Sequence, residues 1–177
     1  MEYKIYTISN KSEEKFLRKK AADFDFTKFA KKELEGLIKN MRKIMKEAVG
    51  IGLSANQLGL DMQLFVAEVP QKDRAPKFYA IFNPEITKMS QETEILEEGC
   101  LSVPGIYGEV ERFKKITLKG LDKNQKAVKL EVYGLTARVF QHETDHLNGI
   151  LFIDRAKNLH DKDSKEIEER RKNLKNA

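Results

Sequence analysis

The residues best equipped for chemistry lie in the stretch Gln141-His142-Glu143-Thr144-Asp145-His146-Leu147. Two histidines four apart on a helix share one face, one turn above the other, so both imidazoles can reach a single metal ion. Glu143 follows the first histidine and would project beside such an ion, close enough to act on its water without being a ligand. A catalytic site of this kind takes three protein ligands and keeps one position open. Cys100 is the one cysteine, in Glu97-Glu98-Gly99-Cys100-Leu101-Ser102-Val103-Pro104, 42 residues before His142 (142 − 100), so the two could meet only through folding. Two imidazoles and a thiolate make a soft donor set. Gly99 suits a backbone that must come close to a ligand. The bland alternatives are a chance His-Glu-x-x-His and a cysteine that is merely a small buried hydrophobe. A nucleophilic Cys100 is a third alternative, and it leaves the helical histidine pair without a use. Of three histidines in the chain, two fall in the motif; the other, His160, sits in a polar tail and reads as solvated.

Elements must exist to hold these groups. At 177 residues, 40% hydrophobic and 34% charged, the chain reads as one globular domain over 1–177 with a real core. It has no apolar run of membrane-span length, and Met1-Glu2-Tyr3-Lys4-Ile5-Tyr6 lacks the features of a secretory signal, so a cytoplasmic location is expected. A net charge of +5 with dispersed Lys and Arg gives no basic aromatic stripe, hence no DNA partner. One cysteine excludes an intramolecular disulfide. The first two dozen residues show little periodicity. Over 27–48, Leu34, Leu37, Ile38, Met41, Ile44 and Met45 recur at spacings of three and four, an amphipathic helix that ends at Gly50. Strands are expected over 63–69, 77–82, 112–121 and 127–133, with 122–125 as a hairpin loop. A second helix runs from Leu135 through Leu147 and stops at Asn148-Gly149; about 161–177 is a polar tail. The fold class is α+β, with mostly antiparallel sheet packed on the late, metal-binding helix.

Three segments together resemble peptide deformylases. Gly50-Ile51-Gly52-Leu53-Ser54-Ala55-Asn56-Gln57 is similar to the family's glycine-hydrophobic-glycine-hydrophobic-Ala-Ala-x-Gln motif. Glu98-Gly99-Cys100-Leu101-Ser102 matches its Glu-Gly-Cys-Leu-Ser motif, and 141–147 its Gln-His-Glu-x-Asp-His-Leu motif. The resemblance implies that Cys100, His142 and His146 bind one divalent metal, natively Fe²⁺ in many members, with Zn²⁺, Ni²⁺ or Co²⁺ as substitutes. It implies hydrolysis of the formyl group from N-formylmethionyl nascent chains by metal-bound water, with Glu143 as general base and then acid. Gln57 and the Leu101 N–H would face the formyl oxygen, the backbone around Gly52 would pair with the peptide, and Ile51, Leu135 and Val139 would line a methionine pocket. Two positions depart from the pattern or vary within it. Ser54 replaces the first alanine of the pair, a small-for-small change, and Tyr107 stands near the cleft mouth where some members carry arginine. The rival enzyme is a zinc peptidase cutting internal bonds, and the rival of another class is an inactive metal-binding protein. Arg170, Arg171, Lys172 and Lys175 in the tail could contact ribosomal RNA, or could simply be solvated. Asp145 is expected to support the helix or a basic neighbour, with Arg112 as the candidate.

Overall fold

The computed structural model describes residues 3–72 and 74–162. Three helices, α1 (Lys11–Leu17), α2 (Lys31–Glu47) and α3 (Gly134–Leu147), pack with eight strands: β1 (Gly52–Ser54), β2 (Leu64–Gln71), β3 (Arg74–Met89), β4 (Thr93–Cys100), β5 (Val103–Phe113), β6 (Lys115–Leu121), β7 (Ala127–Tyr133) and β8 (Lys157–Asp161). All pairings are antiparallel, in a five-stranded sheet of order β1-β2-β3-β6-β7 and a three-stranded sheet of order β4-β5-β8. The chain is an α+β single domain. None of its described helices is long and apolar enough to cross a membrane.

Strand β2 shows why the sheet is layered. Its side chains alternate between faces, and Leu64 through Ala67 are all buried. Phe65, Ala67 and Val69 join Val139, Phe140 and Leu147 of α3 in one core. Leu64 and Val66 join Leu37 and Met41 of α2 in the other. Its first four residues are all apolar because both faces of the strand are covered there. The α2 stripe is the one expected, with Leu34, Leu37, Ile38, Met41 and Met45 buried. A third cluster gathers Leu17, Val103, Val110, Leu151 and Phe152 beneath the smaller sheet.

Several elements differ from the sequence reading. The 27–48 helix starts at Lys31, because Phe26–Lys28 forms a separate single 3-10 turn. It ends at Glu47 in a Schellman cap: the Gly50 N–H bonds to Met45 O at 2.8 Å and the Val49 N–H to Lys46 O at 3.0 Å. The left-handed residue of that cap is Val49 (φ 57°), not a glycine. The expected strand over 112–121 is two strands, since the chain passes from the smaller sheet to the larger at Lys114. The first two dozen residues contain α1, too short for a periodic signal, started by Asn10, whose side chain accepts from the Ser12 and Glu13 N–H groups. Asp161, assigned to the polar tail, closes β8. His160 is in that strand and is not merely solvated, with Nε2 3.1 Å from Glu97 Oε2. Residues 163–177, with the four tail cations, lie outside the described residues.

Candidate metal centre and its cleft

Helix α3 lies against both sheets and is pinned along its length. Gln141 mimics a strand partner: its Oε1 accepts from the Phe113 N–H at 3.0 Å, and its Nε2 donates to Phe113 O at 2.9 Å. At the helix end, Asn56 Nδ2 donates to His146 O at 2.6 Å and Gln63 Nε2 to Leu147 O at 3.1 Å. The histidine-bearing turns are therefore fixed relative to the turn after β1, the start of β2 and the end of β5.

The helix presents both histidines toward the end of β4. Cys100 Sγ, a His142 nitrogen and a His146 nitrogen all lie within 4.8 Å of one another, a group able to hold a metal ion. Sγ is 3.0 Å from His146 Nε2, and the two Nε2 atoms are 3.2 Å apart. A tetrahedral ion with ordinary Zn–N and Zn–S bonds sets neighbouring donors roughly 3.3–3.6 Å apart, so a spread of a few tenths of an ångström would seat one. The electrostatics agree. Burial alone would raise the Cys100 thiol, yet His146 and His142 against it carry it well below its usual range. Burial likewise disfavours charge on His142, but the Cys100 sulfur and Glu98 lift it well above its ordinary value. The sulfur favours its thiolate and demands a positive charge, which a proton or a metal ion in its place can meet. Among the described side chains, His146 Nδ1 is buried without a hydrogen-bond partner.

Behind the donors stands a buried ionic network that the sequence reading largely missed. Glu98 takes Arg112 in a two-pronged pair, both contacts at 3.0 Å, and Arg138 Nη1 at 2.7 Å. Its Oε2 also lies 3.0 Å from His142 Nδ1. A carboxylate only accepts, so Nδ1 carries the proton and Nε2 is left to face the centre. Burial opposes charge on Glu98, but His142 and Arg112 hold its carboxyl far below the usual carboxylate range. Arg112 also contacts Asp145, the partner expected for it, and Arg155 completes the chain with 2.7 and 2.8 Å contacts to Asp145. Arg138, four residues before His142 on α3, could have been found by helical spacing; Glu98 could not, since only the fold brings it there.

Glu143 is 3% exposed, with Oε2 buried and unpartnered among the described groups. Burial raises its carboxyl, against the pull of His142 and His146. It sits over Gly52, where a Cβ would stand 2.3 Å from Glu143 Oε1. Gln57 is equally buried: Oε1 accepts from the Ser54 N–H and Oγ–H, both at 3.0 Å, while Nε2 donates to Ser102 Oγ at 3.0 Å and lies 3.5 Å from Cys100 Sγ. The glycine beside Cys100 also makes room within its own sheet. A Cβ on Gly99 would be 2.5 Å from the ring of Tyr107, its cross-strand partner, so Gly99 makes room for that ring.

Cys100, His142, Glu143, Gln57 and Glu98 open onto one cleft of about 430 Å³. Ile51, Gly52, Gly99, Leu101, Leu135 and Val139 line it, with Gln57, His142 and Glu143 at its base. Leu135 is 45% exposed, so it is free to meet a ligand, whereas Val139 also belongs to the core under the large sheet. Tyr107 lines the cleft, as expected near its mouth, and Arg138 and Glu97 line it as well, which was not expected.

A donor cluster, an adjacent buried carboxylate and an aligned amide in one cleft define the class: a hydrolase with a His-Glu-x-x-His helix. The chain belongs to the polypeptide deformylase family, whose model matches residues 3–162. It is 42% identical over 128 residues to the peptide deformylase of Desulforudis audaxviator, across 72% of this chain and 80% of that protein. The crystal structure of the Thermotoga maritima peptide deformylase superposes with a TM-score of 0.77 at 38% identity, covering 89% of this chain and 99% of that one. A class I type b peptide deformylase from Acinetobacter baumannii, solved with Met-Ala-Ser bound, gives 0.79 at 30% identity over 88% and 98%.

Proposed function

We propose that this hydrolase removes the formyl group from N-formylmethionyl ends of new polypeptides, with a divalent metal held by Cys100, His142 and His146. The observation that carries the reading is the convergence of those three donors beside the buried Glu143 carboxylate, whose Oε2 has no hydrogen-bond partner among the described residues. That the A. baumannii relative was solved with a peptide beginning in methionine supports a peptide N-terminus as the ligand. Fe²⁺ is the proposed native ion, with Zn²⁺, Ni²⁺ or Co²⁺ able to replace it. When bound, such an ion supplies Lewis acidity and a water of lowered pKa.

The chain's own residues do the rest. Glu143, raised by burial, accepts a proton from the attacking water and returns it to the leaving amine, general acid–base work worth typically ~10²–10⁴-fold. Gln57 Nε2, held toward the Cys100 side of the cleft, donates to the formyl oxygen as it gains negative charge. The Leu101 N–H is the second donor; losing one such donor costs on the order of 3 kcal/mol in hydrolases generally. Gly52 and its strand offer backbone groups to the peptide, and Ile51, Leu135 and Val139 take the methionine side chain. The work is done in the cytoplasm on chains leaving the ribosome, which the basic tail would contact.

Glu143→Ala is the test. It should keep its metal by elemental analysis and lose nearly all turnover of a formyl-Met peptide, while the wild type ignores the acetylated counterpart. Retained turnover would remove Glu143 from the mechanism, and cleavage of internal bonds would turn the reading to a peptidase.

A further inference from the structure

Gln57 can act as a donor only if its amide points the right way, and the fold must decide this. The two ends of a primary amide are nearly the same size, and rotation about the last side-chain torsion is broad. Turned over, Gln57 would set its oxygen against the Cys100 sulfur and its NH₂ group against two other donors. Those two donors both belong to Ser54: its backbone N–H and its hydroxyl each reach Gln57 Oε1 at 3.0 Å. Ser54 is fully buried at the end of β1 and heads the 3-10 turn Ala55–Leu58 that carries Gln57. On the other side, among the described residues, Ser102 Oγ and the sulfur receive Nε2. The family motif has alanine at this position, which would leave the backbone N–H as the one donor from that residue.

We propose that Ser54 is a positioning residue, whose hydroxyl locks the Gln57 amide with its N–H toward the reacting oxygen and so raises turnover. The inference rests on the reading of Gln57 given under Proposed function. A hydroxyl has one hydrogen to give, and the same group also faces the Glu143 carboxylate. An effect exerted through Glu143 would not depend on Gln57, and the two routes separate on that point.

The experiment is a double-mutant cycle of Ser54→Ala and Gln57→Ala on the metal-loaded enzyme, with formyl-Met peptide as substrate and metal content measured in every variant. Alanine is the family's own residue here, so the fold is expected to tolerate it. Ser54→Ala should lower kcat by about three- to tenfold with KM within about twofold, the weight of one neutral buried hydrogen bond. In the Gln57→Ala background the same substitution should change kcat by less than about 1.5-fold, because no amide remains to orient. An unchanged kcat in Ser54→Ala overturns the inference while leaving the role of Gln57 standing. An equal loss in both backgrounds overturns it in favour of a route through Glu143 or packing. If Gln57→Ala itself keeps full kcat, the reading of Gln57 fails and this inference goes with it.

Discussion

Gly52→Ala isolates the placement of Glu143 from every other property of the site. Gly52 is not among the positive-φ positions and pairs with Ala67 in a regular ladder, so an alanine there strains neither backbone nor sheet. The added Cβ would meet Glu143 Oε1 at 2.3 Å, Cδ at 2.8 Å and Cγ at 3.1 Å, and nothing else so closely. Ordinary contact requires roughly 1 Å more, and Glu143 must give way because β1 is bonded to β2. A misplacement of about 1 Å in a catalytic group costs on the order of 10²-fold in rate. Because Glu143 is not among the three clustered donors, metal content should stay at the wild-type level. The assay is kcat and KM on a formyl-Met peptide, with metal content and thermal stability measured alongside. Gly36→Ala serves as control, since a Cβ there meets nothing within 4 Å. Activity within about threefold of wild type for Gly52→Ala, at full metal occupancy, would refute the claim that this glycine exists to seat the carboxylate.

Cys100→Ser should lower metal content on dialysis against a chelator well below that of the wild type; full occupancy would take the sulfur out of the ligand set. Glu98→Gln should destabilise the fold by about 3–5 kcal/mol near neutral pH, because Arg112 and Arg138 lose their shared counter-charge. Since the folded-state carboxyl of Glu98 is depressed, its stabilisation is fully present above the unfolded value of about 4.3 and declines as pH falls below it. Thermal melts between pH 3 and 7 should therefore show the wild-type and Glu98→Gln midpoints converging toward acid, and a constant gap would contradict the linkage. Val49→Gly should raise the midpoint by a few degrees, because a β-branched residue at φ 57° gives up about 1 kcal/mol net on relief. A lower midpoint would mean that side-chain contacts of Val49 outweigh its backbone strain.

What was legible in the sequence was local. The helical spacing of His142 and His146 is enough to put two imidazoles on one face, and the period of α2 names its buried residues. The hairpin between β6 and β7 is visible in Asp122-Lys123-Asn124-Gln125, where Asp122 Oδ1 accepts from the Asn124 and Lys126 N–H groups. What was not legible depends on distant partners. Strands β4 and β5 hide behind glutamates, Pro104 and Gly105, which read as turn chemistry until the register pairs Glu98 with Gly108 and Gly99 with Tyr107. The support of His142 is a tertiary object: Glu98, Arg112 and Arg138 come from three elements and have no shared spacing. Ser54 looked like a neutral change because its hydroxyl acquires meaning only once Gln57 folds back onto it.

Strand β2 has a consequence for how the protein comes apart. It is the shared wall of two apolar cores, and β1, with Gly52 and Ser54, is hydrogen-bonded to its middle. Neither core can open by itself without exposing a face of this strand, so local fraying stops at its borders. The short edge strand that seats the carboxylate and orients the amide thereby inherits the cooperativity of the whole domain. Three residues that could not hold their own shape become as rigid as the centre of the molecule.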